Sequence, residues 1–214
     1  GGDFDDEKIG SCKYSDLCVF SFHPVKIITT GEGGAITTNS QTLAKKITAL
    51  RSHGITRNKE EFKKCFVPDW YYQQHFLGFN YRITDLQAAL GISQLKRIDS
   101  FIKKRRKIAK YFTENLNADF KTITKEEIKI SSNHLFIIKN NRRDELREYL
   151  LKHEIFTTLH YFPIHLQPFY ASMGFKLGDF PNTEKYGDEA LSIPIHTNLN
   201  KHDVNYIVEV VNKF

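Results

Sequence analysis

Apolar positions along the chain recur with two periods, and each period predicts one kind of element. The short runs 18–22 and 35–38 are rich in aromatic or β-branched residues, which is typical of strands. After them, apolar residues three or four positions apart predict a helix that ends at Gly54 and has Ser40 or Asn39 as its N-cap.

A longer helical pattern spans 83–112. Charged residues separate its apolar positions, which are Ile83, Leu86, Leu90, Leu95, Ile98, Ile102, Ile108 and Phe112. This spacing predicts a long amphipathic helix, broken near Ser100. The preceding stretch 55–79 contains many aromatic residues, Phe66 among them, and is more typical of a packed loop than of a base-stacking platform.

Beyond a turn at 117–119 the predicted elements become shorter. They are a strand at 128–139, a helix from Arg143 to Lys152 begun by Asn141 or Asp144, a strand at 156–161, and helices at 183–191 and 201–213. Alternating helices and strands are typical of the α/β class. We therefore predict an α/β fold with two domains, 1–110 and 111–214, and a boundary between 100 and 120.

Composition narrows the class of protein. Of the 214 residues, 40% are hydrophobic, which is sufficient for a packed core. No apolar run approaches the roughly 20 residues of a membrane span, and the acidic N-terminus does not resemble a signal peptide. The three cysteines, Cys12, Cys18 and Cys65, lack metal-ligand spacing and argue against a disulfide framework. We predict a cytoplasmic protein that binds no metal and no membrane.

The net charge of +6 is partly held in the basic cluster 103–107. We interpret this cluster as a solvated helix face, because no nucleic-acid-binding motif accompanies it. A nucleic-acid-binding module at 101–110 is the less favoured alternative, and our prediction is no nucleic-acid partner. Such a surface would also attract an anionic small substrate, such as a phosphate or a nucleotide.

The most informative stretch places Lys26 between a strand and the glycine-rich turn 31–34. Three interpretations are open: a phosphate-binding cation, a Schiff-base nucleophile, or a surface lysine. A P-loop is excluded, because the glycines of a P-loop precede its lysine, whereas here they follow Lys26. The apolar neighbours Phe22 and Val25 could desolvate the amine, as a Schiff-base lysine requires.

Two separated motifs give this stretch a family resemblance. They are Phe20-Ser21-Phe22-His23-Pro24-Val25-Lys26 with Gly31-Glu32-Gly33-Gly34, and Leu77-Gly78-Phe79-Asn80-Tyr81-Arg82 with Ala88-Ala89-Leu90-Gly91 and Gln94-Leu95. Together they resemble the nucleotide-sugar aminotransferases of the DegT/DnrJ/EryC1/StrS family. The stretches 70–72 and 160–165 resemble the branch that aminates C4 of a UDP-4-keto-6-deoxy-N-acetylhexosamine on the pseudaminic acid route.

The resemblance implies a fold, a cofactor and a reaction. The chain would be the C-terminal portion of a fold-type I transferase dependent on pyridoxal 5′-phosphate (PLP), comprising the end of the large domain, the connecting helix and the small α/β domain. Glutamate is the implied amino donor. In this family a histidine in place of Lys26 marks sugar dehydratases, so the lysine favours amino transfer.

The resemblance also implies site residues. Lys26 would carry the cofactor as a Schiff base and then shuttle the proton. Ser21 would reach the cofactor phosphate, and Asn80 would reach that of the partner subunit in a homodimer. Weaker candidates for substrate contact are His23, Arg82, His160, Tyr161 and His165. The alternative for Arg82 is an ion pair with Asp85 on the same helix, and the alternative for the residues at 160–165 is a solvated surface position.

The family pattern begins upstream of Gly1, so its phosphate-binding loop, ring-stacking aromatic residue and ring-nitrogen aspartate have no counterpart in 1–214. An alternative hypothesis follows. The chain would then be a catalytically inactive fragment that acts only as a folded or dimerising module.

Overall fold

The computed structural model describes residues 1–63 and 67–214. The chain divides into two compact units. The N-terminal unit comprises 3–98, and the C-terminal unit comprises 99–214 together with Gly1 and Gly2. Cys65 and Phe66, which entered the sequence predictions above, lie outside the described residues.

The N-terminal unit consists of short antiparallel strand pairs and two helices. Its elements are β1 (Asp3–Phe4), β2 (Glu7–Lys8), β3 (Cys18–Ser21), β4 (Gly34–Thr37), α1 (Gln41–Arg51), β5 (Ile55–Thr56), a 3₁₀ turn (Lys59–Glu61), β6 (Gln73–Gln74) and α2 (Asp85–Leu95). Strand β3 pairs with β4 in the register Cys18↔Thr37 to Ser21↔Gly34. This hairpin brings the glycine-rich turn beside the end of β3.

Local signals define both helices of this unit. The Ser40 side chain accepts a hydrogen bond from the Leu43 backbone, which confirms Ser40 as the N-cap of α1. A capping box formed by Thr84 and Gln87 starts α2. Gly54 adopts a φ of +68°, and a Cβ there would lie 1.9 Å from the Phe76 carbonyl oxygen, so only glycine fits this turn.

The C-terminal unit is a small sheet packed against helices. Its elements are α3 (Ile98–Asn115), α4 (Lys125–Ile130), β7 (Phe136–Lys139), α5 (Arg143–Lys152), a 3₁₀ turn (Ile164–Leu166), α6 (Pro168–Ala171), α7 (Pro181–Glu189), β8 (Ala190–Ile193) and α8 (Lys201–Asn212). Strands β7 and β8 are antiparallel. Isolated bridges extend this ladder on both sides, through Lys121↔Lys139 and Thr158↔Ser192.

The hydrophobic core described in this unit lies between the β7–β8 ladder and the helices. Its largest fully buried apolar side chains are Phe112, Phe136, Ile138, Leu146, Leu150, Leu191 and Val211. Every residue of β8 is buried. A strand covered on both faces has no alternation of apolar and polar residues, so its period cannot distinguish it from a helix.

That ambiguity explains the error at β8, one of three in the predicted elements. The predicted helix 183–191 ends at Glu189, and Leu191 belongs to strand β8. The predicted strand 128–139 is helical up to Ile130, because Thr124 and Glu127 form a capping box that starts α4. The predicted strand 156–161 contributes only the bridge at Thr158. Helix α5 is confirmed at its predicted bounds, with Arg142 as N-cap rather than Asn141 or Asp144.

The long predicted helix is interrupted at 96–97 rather than near Ser100. Helix α3 contributes Ile102, Ile108 and Phe112 to the C-terminal unit, so the two units divide at Ile98 and Asp99, ahead of the boundary range we predicted. The assignment of 1–110 as part of a larger cofactor-binding domain stays a prediction.

The basic cluster on α3 is not uniformly solvated. Lys103, Lys104 and Lys107 are exposed, whereas Arg105 is buried, and burial lowers the pKa of its guanidinium. Arg105 Nη1 donates to the carbonyl oxygens of Asn133, His134 and Ile195 at 2.9–3.2 Å. Arg105 therefore ties α3 to the segments that flank β7 and β8.

The α/β class is confirmed, and in the described residues every strand ladder is antiparallel. Among the helices of 1–63 and 67–214, none combines the length and the apolar character that crossing a bilayer requires.

Candidate active site

The segment around Lys26 is a closed loop on the end of the β3–β4 hairpin. The Phe22 carbonyl oxygen accepts hydrogen bonds from the Thr30 backbone at 3.0 Å and from Thr29 Oγ1 at 2.9 Å. The Phe22 N–H donates to the Gly33 carbonyl at 2.8 Å. These bonds close the loop 22–30 at its base, with Lys26 at its centre.

The Lys26 side chain is half-buried at the centre of this loop. Its backbone N–H donates to the His23 carbonyl at 3.0 Å, which forms a tight turn over 23–26. In the described part of the chain, no carboxylate lies within ion-pair distance of the Lys26 ammonium. The loop therefore presents an amine that no acidic side chain of these residues engages.

His23 and Ser21 lie in the same turn. The Val25 N–H donates to His23 Nδ1 and the His23 N–H donates to Ser21 Oγ, both at 3.4 Å. His23 Nε2 lies 3.9 Å from a carboxylate oxygen of Glu32, in the glycine-rich turn. The structure thus places Ser21, at the end of β3, next to the loop that carries His23 and Lys26, and it places Glu32 beside His23.

The glycines of the glycine-rich turn adopt two kinds of backbone conformation. Gly31 and Gly33 adopt φ values of +79° and +146°, whereas Gly34 lies in strand β4. A Cβ at Gly34 would lie 2.6 Å from the Phe20 carbonyl oxygen, so Gly34 is needed for close approach of the two strands.

Sequence reasoning missed the residues that hold this loop on helix α2. The Thr29 N–H donates to Gln94 Oε1 at 3.2 Å, and Gln87 Nε2 donates to the Glu32 carbonyl at 3.1 Å. The available signal was the spacing 87, 91, 94, which places two glutamines and Gly91 on one helix face. The amphipathic pattern that predicts this helix includes Leu86 and Leu90, yet both leucines are exposed.

The stretch that carries Asn80 and Arg82 lies beside the end of α1. Asn80 forms an isolated bridge with Ser52, and the Tyr81 N–H donates to the Arg51 carbonyl, so the backbone of this stretch lies along the end of α1. Both side chains are exposed. Among the residues described, no ion pair joins Arg82 to Asp85, which removes the structural alternative considered for that arginine.

The remaining predicted site residues belong to the C-terminal unit. His160 Nδ1 lies 2.8 Å from Ser192 Oγ of strand β8, and the Tyr186 hydroxyl donates to the His160 carbonyl at 3.2 Å. Tyr161 is 65% exposed. His160 is therefore tied to the sheet, whereas Tyr161 is available to a ligand.

His165 is tied to the protein rather than exposed to solvent. Its Nε2 lies 2.8 Å from Glu184 Oε1, and both side chains are largely buried. The same oxygen accepts hydrogen bonds from the backbone N–H groups of Gly178 and Phe180 at 2.9 and 3.2 Å. Glu184 thus connects α7 with two loops, one of which follows Tyr161.

The charge of Glu184 makes this connection dependent on pH. Although burial alone would raise the pKa of Glu184, the hydrogen bonds from His165, Gly178 and Phe180 lower it below the ordinary value of 4.5. A group with a lowered pKa contributes stability above its ordinary pKa, and that contribution is lost as the pH falls through the folded-state value.

We therefore expect Glu184→Gln to lower the melting temperature near neutral pH. The difference from wild type should shrink as the pH falls below 4.5. Thermal unfolding across this pH range measures it, with Glu148→Gln on α5 as an exposed control. A difference that stays constant with pH would contradict the assignment.

The C-terminal unit also contains a histidine-rich cavity of about 520 Å³, lined in part by His153, His196 and His202. Burial and the nearby cations Arg105 and Lys104 lower the pKa of His196. In the described chain, no group of three or more His, Cys, Asp or Glu residues is placed to hold a metal ion. We assign no metal chemistry to this cavity.

Comparison with known proteins shows the family to which the chain belongs. The model of the DegT/DnrJ/EryC1/StrS aminotransferase family matches residues 1–212. A UDP-4-amino-4,6-dideoxy-N-acetyl-β-L-altrosamine transaminase of Campylobacter jejuni is 36% identical over 99% of this chain and 55% of its own length. A GDP-perosamine synthase of Caulobacter vibrioides is 30% identical over 100% of this chain and 56% of its own length.

Solved structures show the same relationship. Helicobacter pylori PseC, an aminotransferase of pseudaminic acid biosynthesis, has a TM-score of 0.86 and 32% identity over 99% of this chain and 56% of its own. The PLP form of the sugar aminotransferase Spr1654 from Streptococcus pneumoniae has a TM-score of 0.87 and 26% identity over 100% and 54%. The chain spans about half the length of these relatives. This chain belongs to the DegT/DnrJ/EryC1/StrS aminotransferase family.

Proposed function

We propose that the protein to which this chain belongs is a PLP-dependent aminotransferase that transfers an amino group, from glutamate, to C4 of a UDP-4-keto-6-deoxy-N-acetylhexosamine. The observation that carries the proposal is Lys26, a half-buried residue whose ammonium no carboxylate of the described residues engages, at the centre of a loop closed by hydrogen bonds. A lysine amine is the group that holds a carbonyl cofactor as a Schiff base, and here no carboxylate of the described residues competes for it.

The residues of the loop fit the cofactor. PLP supplies an electron sink for the carbon that gains or loses the amino group. Lys26 would hold the cofactor through its Nζ, and the same nitrogen would then move the proton. Ser21 is exposed at the end of β3, next to this loop, where its hydroxyl is accessible to a phosphate. His23 would line the approach to the amine.

The homodimer is part of the proposal. Asn80 is exposed, and its backbone bridge to Ser52 holds it at the end of α1, so its amide can reach outward to a phosphate on the partner subunit. The substrate contacts proposed are those of Arg82 with an anionic group and of Tyr161, supported by His160, with the nucleotide sugar. His165, held by Glu184, would position the loop that follows Tyr161.

Support for the sugar comes from the relatives, among which the altrosamine transaminases act on UDP-linked sugars and the perosamine synthases are named for a GDP-linked one. The test offers the complete protein with PLP both a UDP-linked 4-keto-6-deoxy-N-acetylhexosamine and a GDP-linked 4-keto-6-deoxyhexose, with glutamate as donor. Mass spectrometry of the sugar detects amination. Amination of only the GDP sugar would overturn the substrate class.

A separate measurement distinguishes an aminotransferase from an inactive dimerising module. We expect PLP to form a stoichiometric adduct on Lys26 in the complete protein, which borohydride reduces to a stable secondary amine. Peptide mapping locates the modified lysine. Absence of any adduct, together with a folded dimer, would favour the inactive module.

A further inference from the structure

We infer that Gln87 and Gln94 of helix α2 are positioning residues for Lys26, each holding one end of the loop and glycine-rich turn that surround it. The proposed reaction gives neither glutamine a chemical role. Its catalytic consequence rests on the proposed function of Lys26, whereas its structural part does not.

Gln94 holds the end of the loop that follows Lys26. Its Oε1 accepts the hydrogen bond of the Thr29 N–H at 3.2 Å, across 65 residues of sequence. Thr29 in turn donates through Oγ1 to the Phe22 carbonyl and accepts the Gly31 N–H at 2.9 Å. Thr29 is therefore the residue at which the loop closes, and Gln94 fixes it to the helix.

Gln87 holds the glycine-rich turn. Its Nε2 donates to the Glu32 carbonyl at 3.1 Å, while its Oε1 accepts the Thr84 N–H at 3.0 Å in the capping box of α2. The same Glu32 carbonyl accepts the Thr30 hydroxyl at 2.6 Å. One side-chain amide thus connects the start of the helix to the turn next to the Lys26 loop.

The helix approaches closely between these two contacts. Positions 87, 91 and 94 lie on one face of α2, and each is half-buried. At Gly91 a Cβ would lie 2.9 Å from Thr30 Cγ2, a distance that would force the loop away. Thr30 is buried, although much of the rest of this unit is exposed. Two amide contacts and one glycine therefore form a continuous docking face for the loop.

This arrangement matters because the loop between these two attachments carries the reactive amine. Proton transfer requires the amine within hydrogen-bond reach of its target, and displacement by about 1 Å can reduce a rate a hundredfold. A loop closed only by its own backbone can shift as a body on the hairpin. Attachment to α2 at Thr29 and at Glu32 removes that freedom.

The two glutamines can be tested separately, because they use opposite ends of the amide. Gln94 acts as an acceptor, so Gln94→Glu keeps the contact and Gln94→Leu removes it. Gln87 acts on Glu32 as a donor, so Gln87→Glu removes that contact and keeps the capping box. Gln41→Leu, at an exposed position of α1, is the matched control.

Hydrogen exchange of the complete protein without cofactor provides the first measurement. We expect exchange in peptides covering 22–34 to rise roughly two- to tenfold in Gln94→Leu and Gln87→Glu. Gln94→Glu and Gln41→Leu should match wild type, and so should helix α2 itself. Unchanged exchange in both Gln94→Leu and Gln87→Glu would overturn the inference, whatever reaction the protein catalyses.

Steady-state kinetics provides the second measurement. We expect Gln94→Leu to lower kcat by about ten- to a hundredfold, with KM changed less than about threefold, and Gln94→Glu to restore kcat. An equal loss in Gln94→Glu would overturn the positioning role. If the exchange results hold and the wild-type protein transfers no amino group, the proposed function fails while the attachment of the loop stands.

Discussion

Replacing Lys26 by alanine in the complete protein should abolish detectable amino transfer, with a loss of at least about 10²–10⁴-fold in kcat. The physical reason is that the side chain has two tasks, to hold the cofactor and to move the proton, and alanine performs neither. Because Lys26 makes no ion pair with the described residues, its removal should leave the fold intact. Circular dichroism and the melting temperature verify that the variant keeps its fold while it loses activity.

The matched control is Lys46→Ala, which removes an exposed lysine from helix α1 of the same unit. We expect this variant to retain wild-type turnover and the borohydride-reducible adduct. Retention of turnover in Lys26→Ala, with an unchanged cofactor absorbance band, would refute the assignment of this lysine. Loss of turnover in both variants would point to surface charge rather than to chemistry at Lys26.

Phe136→Ala should destabilise the C-terminal unit by about 3–5 kcal/mol. The Phe136 ring is fully buried in strand β7 and lies 5.1 Å, centroid to centroid, from the Phe112 ring of α3 in an edge-to-face arrangement. Alanine leaves a cavity between the sheet and that helix, because neither element can move without breaking other core contacts. Urea unfolding followed by far-UV circular dichroism measures the change.

Phe156→Ala serves as the control, because this ring belongs to the same unit and is 74% exposed. A change below about 0.5 kcal/mol is expected for such a surface position. An equal effect of the two substitutions would mean that the β7–β8 ladder does not form the core described above. A large effect of Phe136→Ala on amino transfer at temperatures where the protein remains folded would instead assign this ring a functional role.

The errors in the predicted elements have a common physical cause. The spacing of apolar residues distinguishes a helix from a strand only when one side of the element is buried and the other faces water. Strand β8 is covered on both sides and resembles the end of a helix in sequence. Helix α4 is six residues long, so its capping box, rather than its period, is the signal that identifies it.

The basic cluster on α3 illustrates a different limit. Residue type predicts a solvated face for all five members, of which Lys103, Lys104 and Lys107 are exposed. Arg105 is buried because three carbonyl oxygens from distant segments converge on it. No local pattern encodes that convergence. The same holds for Glu184, whose partners His165, Gly178 and Phe180 gather around it only when two loops and α7 are in place.

The sequence by itself determined the family, the α/β class and the candidate lysine, because these depend on motifs of adjacent residues and on helical spacing. Only the tertiary structure decided what surrounds that lysine. The hydrogen bonds from Thr29 to Gln94 and from Gln87 to Glu32 join residues 65 and 55 positions apart. Contacts of that range arise from packing of the hairpin on α2, so their geometry exists only in the folded chain.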